Sequence, residues 1–516
     1  MNSNNTPALI RSLVIYAVCI PLAVWIGYLL AAPADRVTFG YAGVLALIIL
    51  TPILLRWHHF LLVASWNFSM TIFFLPGSPP VWLLMTAISL GISVLLRAVN
   101  SRARFLSAPG IAWPLLFFFA VVLGTAHLTG GIGLHSLGGD VSGGKHYFTI
   151  LFGILFYFAL TAQQIPPKWL GFYICAYFLT GCTLAIGDLA GHLPSSMNIL
   201  FALFPPSGYD METAPGMMDF HARYNGLGRL GVAGFYFMLA RYGVRGVLLG
   251  GKPWRWVVFG LFCAAIPFGG FRSFIIGCGL LFAIQFFLEG MHRTVAMPLF
   301  IMGGLVAATL IIPFADRLPY TFQRSLAFLP LKLNTAARMD AESSSDWRVE
   351  IWRDTYPKVP QYLLLGRGYA LSKDQLAMAA SRNFKYISTA DEVDITGNYH
   401  SGPLSVLIPF GAWGTVALLW LWIAGFRVLY DNYRYGDPAC RVINTYLFAS
   451  FVCSIILFLF VFGAIENDVA AFAVLLGFSV SVNGGVRRRM PAPAPMVDKA
   501  AATPQVRPHF QPYFQR

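Results

Sequence analysis

Long apolar runs separated by short polar connections fill most of the chain. A helix needs about 20 apolar residues to cross the hydrocarbon of a bilayer. That ruler predicts about fourteen spans: 11–31, 38–55, 60–75, 80–96, 111–129, 147–162, 169–187, 225–240, 255–270, 273–288, 295–312, 402–429, 442–462 and 468–483. The pair around 255–288 also reads as one broken unit, because Gly269, Gly270 and Arg272 interrupt it. Two connections are large, 188–224 and 313–401, and the others are short. The chain therefore divides into residues 1–312 with eleven spans, a loop at 313–401, a second set of three spans over 402–486, and a tail from 487 to 516. The tail is rich in Pro and Ala and reads as disordered. The first span lacks the basic leader and small-residue site of a cleaved signal peptide, so it reads as a membrane span.

Composition agrees with this pattern and narrows it. Of 516 residues 57% are hydrophobic and 11% charged, whereas soluble domains carry about 25% charged residues. The expected fold is all-α, a polytopic membrane helix bundle. An aromatic share of 15% excludes a disordered chain. The net charge of +14 would suggest nucleic acid in a soluble protein. Here it sorts by side. Alternate connections hold Arg56; Arg97, Arg102 and Arg104; Lys168; Arg241, Arg245, Lys252 and Arg255; Arg293; and Arg427, Arg434 and Arg441, with Arg487, Arg488 and Arg489 following the last span. Basic residues mark the cytoplasmic side, and an even number of spans puts both termini there. The opposite connections hold Asp188, Asp210, Glu212, Asp219, Glu466 and Asp468. The charge is thus an orientation signal and implies no nucleic-acid partner. The seven cysteines avoid the outer loops and show no metal-ligand spacing, so neither a disulfide framework nor a metal site is expected.

The outer segments carry the candidate chemistry. Loop 313–401 is long for a connection, and such loops are usually functional or disordered. It is too rich in Trp, Tyr, Leu and Ile for disorder, and it predicts helices over 318–330 and 346–357, the second capped by Ser345 or Asp346. Arg348 and Trp352 then share a helix face. Gly366-Arg367-Gly368 reads as a turn that lets backbone come close to something. Arg223, Arg229 and Arg272 lie at outer span boundaries, against the positive-inside trend. They read either as snorkelling side chains or as anion-binding groups, since arginine suits bidentate phosphate contacts. His400, just before the twelfth span, is the side chain whose ordinary pKa suits proton transfer near neutrality. Glu466-Asn467-Asp468 forms an outer turn, which is either solvated or supplies an acid that orients His400 or holds a sugar hydroxyl. Asp391, Glu392 and Asp394 read as an acidic turn, with a divalent ion as the alternative.

Several short motifs in one order resemble the O-antigen ligase / O-antigen polymerase superfamily. They are Arg223-Tyr224-Asn225-Gly226, Gly270-Phe271-Arg272-Ser273, Asp346-Trp347-Arg348-Val349-Glu350-Ile351-Trp352, Leu365-Gly366-Arg367-Gly368 and Tyr399-His400-Ser401, all within about 220–415. The family usually has Asn after the His, where this chain has Ser401, and the Ser-Arg pair before the long loop reads Phe271-Arg272. The resemblance implies a GT-C-like fold of the bacterial inner membrane with the large loop and the active site in the periplasm. It also implies an inverting glycosyl transfer that uses no metal or other cofactor. The donor would be an undecaprenyl-diphosphate-linked glycan, and the acceptor a glycan or a lipid such as lipid A-core. Chain-length or export machinery is a further candidate partner. On this reading His400, Arg348 and Arg272 are catalytic. Arg223, Arg229, Arg367, Trp352, Tyr399 and Glu466 bind the diphosphate or sugar. A flippase of lipid-linked sugars is the alternative, disfavoured because transporters commonly place their charges at the bilayer midplane.

Overall fold

The structure, a computed structural model, describes residues 6–31, 35–100, 105–133, 143–189, 192–194, 197–206, 223–372, 375, 377 and 389–487. Arg102 and Arg104, the tail beyond Arg487, and the acids Asp210, Glu212 and Asp219 of the first large loop lie outside the described residues. Among the described residues the regular structure is all helical, with no strand beyond one isolated bridge from Thr71 to Pro80. We number the helices α1 (Thr6–Ala31), α2 (Arg36–Ser65), α3 (Val81–Val99), α4 (Pro109–Thr129), α5 (Gly144–Leu160), α6 (Leu170–Leu179), α7 (Asn198–Leu203), α8 (Asn225–Leu248), α9 (Pro253–Ala265) and α10 (Arg272–Leu288). They continue as α11 (Ala296–Ile311), α12 (Tyr320–Ser325), α13 (Thr335–Thr355), α14 (Val359–Tyr362), α15 (Thr389–Thr396), α16 (Gly402–Tyr435), α17 (Arg441–Phe460) and α18 (Ile465–Asn483).

Among the described residues eight helices are long and apolar enough to cross a membrane, and four shorter apolar ones accompany them. One helix, α2, takes in the expected span 38–55 and the first six residues of the expected span 60–75, with Pro52 inside it, and residues 66–75 are not helical. The Arg56-Trp57-His58-His59 stretch is therefore not a polar connection. Its histidines are buried against neighbouring helices, with His58 Nδ1 2.9 Å from Ser89 Oγ and His59 Nε2 2.9 Å from the Leu160 carbonyl. At 1.5 Å per residue, the 30 residues of α2 would extend about 45 Å. Yet the ring of Phe39 near its start meets Phe73 beyond its end at 5.0 Å. The segment after α2 therefore runs back along it, as the packing of Phe74 against Gly43 also shows, and Pro52 removes a backbone hydrogen bond in the interior of α2.

Apolarity all round a helix fits a lipid surrounding rather than water. At the centre α18 is enclosed, with Val474, Leu476, Phe478 and Val480 fully buried. At the periphery α11 leaves Leu299, Ile301, Met302, Leu305 and Leu310 exposed. Two helices are interrupted at glycines with positive φ, α8 at Gly243 and α16 at Gly411. At Gly243 the Glu289 carboxylate accepts from the freed Val244 and Arg245 N–H groups at 2.9 and 2.7 Å, so the second half of α8 begins with a cap.

Contacts sort the connections onto two ends of the bundle. At one end Leu106 N–H bonds Thr161 O, Ile165 N–H bonds Ser481 O, and Asn432, Asn444 and Asn483 form a buried amide cluster. Arg241, Arg245, Arg255 and Arg487 belong to connections at this end. At the other end the 313–401 segment packs on the starts of α5, α10 and α16. This segment is helical as expected, but its main helix α13 starts at Thr335. Asn334 caps it by accepting from Ala336 N–H at 2.9 Å, so the cap lies well before the expected Ser345 or Asp346.

Candidate active site

Four arginines from different parts of the sequence meet around one cavity at the end covered by 313–401. The cavity measures about 960 Å³ and is lined by Arg223, Arg272, Arg324 and Arg348, with His400 and the aromatic faces of Trp347 and Trp352. Each element brings its arginine by simple means. Arg223 lies just before α8, whose first N–H groups are held by Asp188, with Gly226 N–H at 2.9 Å and Leu227 N–H at 2.7 Å. Arg272 opens α10 after a left-handed Gly270, and its guanidinium donates to Ala341 O at 2.9 Å and Ser345 Oγ at 3.0 Å on α13. Arg324 on α12 is almost fully buried and donates to Gly270 O at 2.6 Å.

Asp340 ties two of the arginines together. Its Oδ2 accepts from Arg324 Nε at 2.6 Å, Arg223 at 3.3 Å and the Tyr320 hydroxyl at 3.1 Å. Burial works to raise the Asp340 pKa, but the charges of Arg324 and Arg223 outweigh it and hold the carboxyl below its ordinary value. Arg324 is shifted down, by burial first and then by Arg223. The cavity wall keeps an excess of positive charge, to which the N-terminus of α10 adds its partial positive end.

His400 faces this charge as a neutral base. Burial, then the charge of Arg348, lowers its pKa to about 4. Its Nδ1 is buried and has no hydrogen-bond partner among the described residues. Its ring lies edge-on to Trp347 at 4.7 Å and 5.4 Å from Phe462. Its backbone is left-handed, with φ 49°, a conformation that costs a non-glycine residue about 1–2 kcal/mol and concentrates at functional sites.

Of the residues singled out from the sequence, the structure gathers Arg223, Arg272, Arg348, Trp352 and His400 around the cavity. It places four elsewhere. Arg229 lines a separate cavity of about 440 Å³ between the helices and bonds Asn225 Oδ1 at 3.3 Å. Arg367 is spent on Asp394, at 2.9 Å, which also pairs with Lys358 at 3.4 Å. Asp394 is thus held by two cations, and the side chains of Asp391 and Glu392 lie outside the described residues. Tyr399 is buried with Ile351, Val393, Leu404 and Ile408 in a small core beneath the loop, and its carbonyl accepts from Trp352 Nε1 at 3.2 Å. Glu466 pairs with His146 rather than with His400. The sequence reading missed Arg324, Asp340 and His146. Arg324 carried the same signal as the others, an arginine in an outer segment. Its partner Asp340 was hidden because α13 was expected to start later.

The region that holds three of the four arginines and His400 has a known counterpart. Residues 257–419 match the family model described as O-antigen ligase. This match supports the O-antigen ligase/polymerase superfamily that the motifs resemble, and it indicates a membrane glycan-processing enzyme. The matched region runs from α9 into α16 and includes the whole 313–401 segment, while Arg223, His146 and Glu466 lie outside it. No curated protein matches the chain.

Proposed function

We propose that this chain is a glycosyltransferase that moves a glycan from undecaprenyl diphosphate to an acceptor hydroxyl. The observation that carries the proposal is the cavity where four guanidinium groups surround a neutral histidine. In the proposed step the acceptor oxygen attacks the anomeric carbon from the face opposite the diphosphate, with inversion. The bond from that carbon to the diphosphate oxygen breaks and its electron pair stays on the diphosphate. His400 takes the acceptor proton, a role worth typically about 10²–10⁴ in rate. Fixed cations aimed at the charge that develops stabilise the leaving group. Arg272 and Arg348 act there, with Arg223 and Arg324 binding the diphosphate, and the reaction needs no divalent ion. Trp347 and Trp352 offer faces on which sugar rings stack.

Donor binding also strengthens the base. The diphosphate neutralises Arg348, which otherwise opposes a proton on His400. In this reading the protein sits in the bacterial inner membrane, the cavity faces the periplasm, and the arginine-rich end of the bundle faces the cytoplasm. Acceptors of two kinds, another lipid-linked glycan or lipid A-core, distinguish a polymerase from a ligase with the same chemistry.

The test is transfer by purified protein given a polyprenyl-diphosphate-linked glycan and an acceptor. We expect transfer that persists in a chelator, and its loss in His400→Ala while that variant still inserts and folds. Normal transfer by His400→Ala would end the catalytic assignment. Movement of the lipid-linked glycan across vesicles without transfer would favour the flippase reading.

A further inference from the structure

A second histidine centre lies at the same end of the bundle, outside the cavity, and the proposed reaction leaves it without a role. His146, in the first turn of α5, bonds through Nδ1 to the carboxylate of Glu466, in the first turn of α18. The two side chains remain 23% and 26% exposed. The imidazole stacks on Tyr369, with ring centres 4.6 Å apart and planes 21° apart. Tyr369 is itself fixed, because its N–H donates to the Tyr147 hydroxyl at 2.8 Å and its ring sits edge-on to Tyr147 and Phe410.

These two rings support the loop that carries His400. A Cβ on Gly397 would stand 3.1 Å from Tyr369 Cε1 and 3.6 Å from His146 Cε1, so the loop backbone rests directly on them. Gly397 has φ +67°, and three residues later His400 is left-handed too. From the other side Phe462, four residues before Glu466, packs its ring 5.4 Å from His400. The two segments that enclose His400 therefore converge on one pair: 397–400 lies on His146, and 462–466 ends at Glu466. A strained backbone persists where its surroundings over-determine it. A carboxylate bonded to Nδ1 also fixes the tautomer and orientation of an imidazole.

We propose that the Glu466–His146 pair, seated on Tyr369, is a positioning device that holds the 397–400 loop in its left-handed turn and so sets the place of His400 relative to the sugar at the arginines. The pair acts through His400 and touches no reacting atom. The proposal rests on the reading of His400 as the base.

The experiment compares wild-type protein with His146→Gln, Glu466→Gln and Glu466→Asp, each full-length and in lipid, for steady-state transfer and thermal unfolding. In the two Gln variants kcat is expected to fall about 10–100-fold, as for a misplacement near 1 Å, with the donor KM within about twofold of wild type and the melting temperature little changed. Glu466→Asp is expected to recover part of the loss. If a Gln variant fails to fold, Gly397→Ala takes its place, since its Cβ crowds the Tyr369 ring at 3.1 Å and a side chain strains the φ of +67°, and the same loss confined to kcat is expected. Wild-type kcat in the variants overturns the proposal. So does a loss carried by the donor KM, and so does recovery of His146→Gly by free imidazole, which would make His146 a proton carrier. Wild-type protein that transfers nothing sinks the underlying reading instead, so the two failures are distinguishable.

Discussion

His400, the base in the proposed reaction, combines two unusual properties in one side chain. It is strained at φ 49°, and its pKa is lowered to about 4 by burial first and by Arg348 second. The sign of the consequence follows. With a folded pKa near 4 the imidazole stays neutral, and able to accept a proton, at every pH above that value. It loses this ability as the pH falls through about 4 rather than through the ordinary 6.5. The acid limb of kcat/KM, which reports the free enzyme, is therefore expected near pH 4 in the wild type. Removing the charge in Arg348→Gln takes away the second cause, so the limb should move up toward 6.5. A pH–rate profile of the two proteins checks this, and an unmoved limb would separate Arg348 from His400. Neither φ nor burial of a single histidine can be read from a hexapeptide such as Asn398-Tyr399-His400-Ser401-Gly402-Pro403. The sequence offered the residue type and its place before a span, and the neighbours supplied the rest.

Among the elements, α13 does most to assemble the site. One face carries Arg348 and Trp352 to the cavity and Ala341 and Ser345 to Arg272. The other face carries the exposed Arg353 and Asp354. Arg348→Ala is expected to cut transfer by about 10²-fold or more, the scale of losing one donor to a developing oxyanion, while Arg353→Ala stays within about twofold of wild type, as surface substitutions do. Transfer rates of the two variants decide this, and equal losses would mean that α13 is a plain surface helix. The periodicity that pairs positions 348 and 352 was legible in the sequence. The true start of α13 was not, because Thr335–Ser345 has little apolar patterning and its cap is a single Asn. Arg367 shows the reverse case. It stood in a promising glycine-flanked turn, but the turn exists so that Gly366 can pass the backbone of Pro409, where a Cβ would collide, and the arginine is bound to Asp394.

The whole molecule separates its charged groups onto two ends. The arginine cavity, the His146–Glu466 pair and the 313–401 segment lie at one end, and the basic connections with the buried asparagine cluster lie at the other. Topology reporters fused after residues 350 and 435 are expected to give opposite signals, periplasmic and cytoplasmic. A cytoplasmic signal at 350 would overturn the orientation and, with it, access to a periplasmic acceptor.

The sequence by itself determined that this is a helical membrane protein and which connections are basic, and it singled out a few arginines and one histidine as the candidates for its chemistry. Those properties follow from composition and from spacing along one chain, where burial in lipid demands apolar runs and leaves each charge conspicuous. The tertiary structure decided which of those charges lie together. Arg223, Arg272, Arg324 and Arg348 are separated by up to 125 positions and meet because three packed segments converge. Arg229 and Arg367 satisfied the same sequence rules and were drawn to other partners. Proximity between distant positions depends on packing, and no local pattern encodes it.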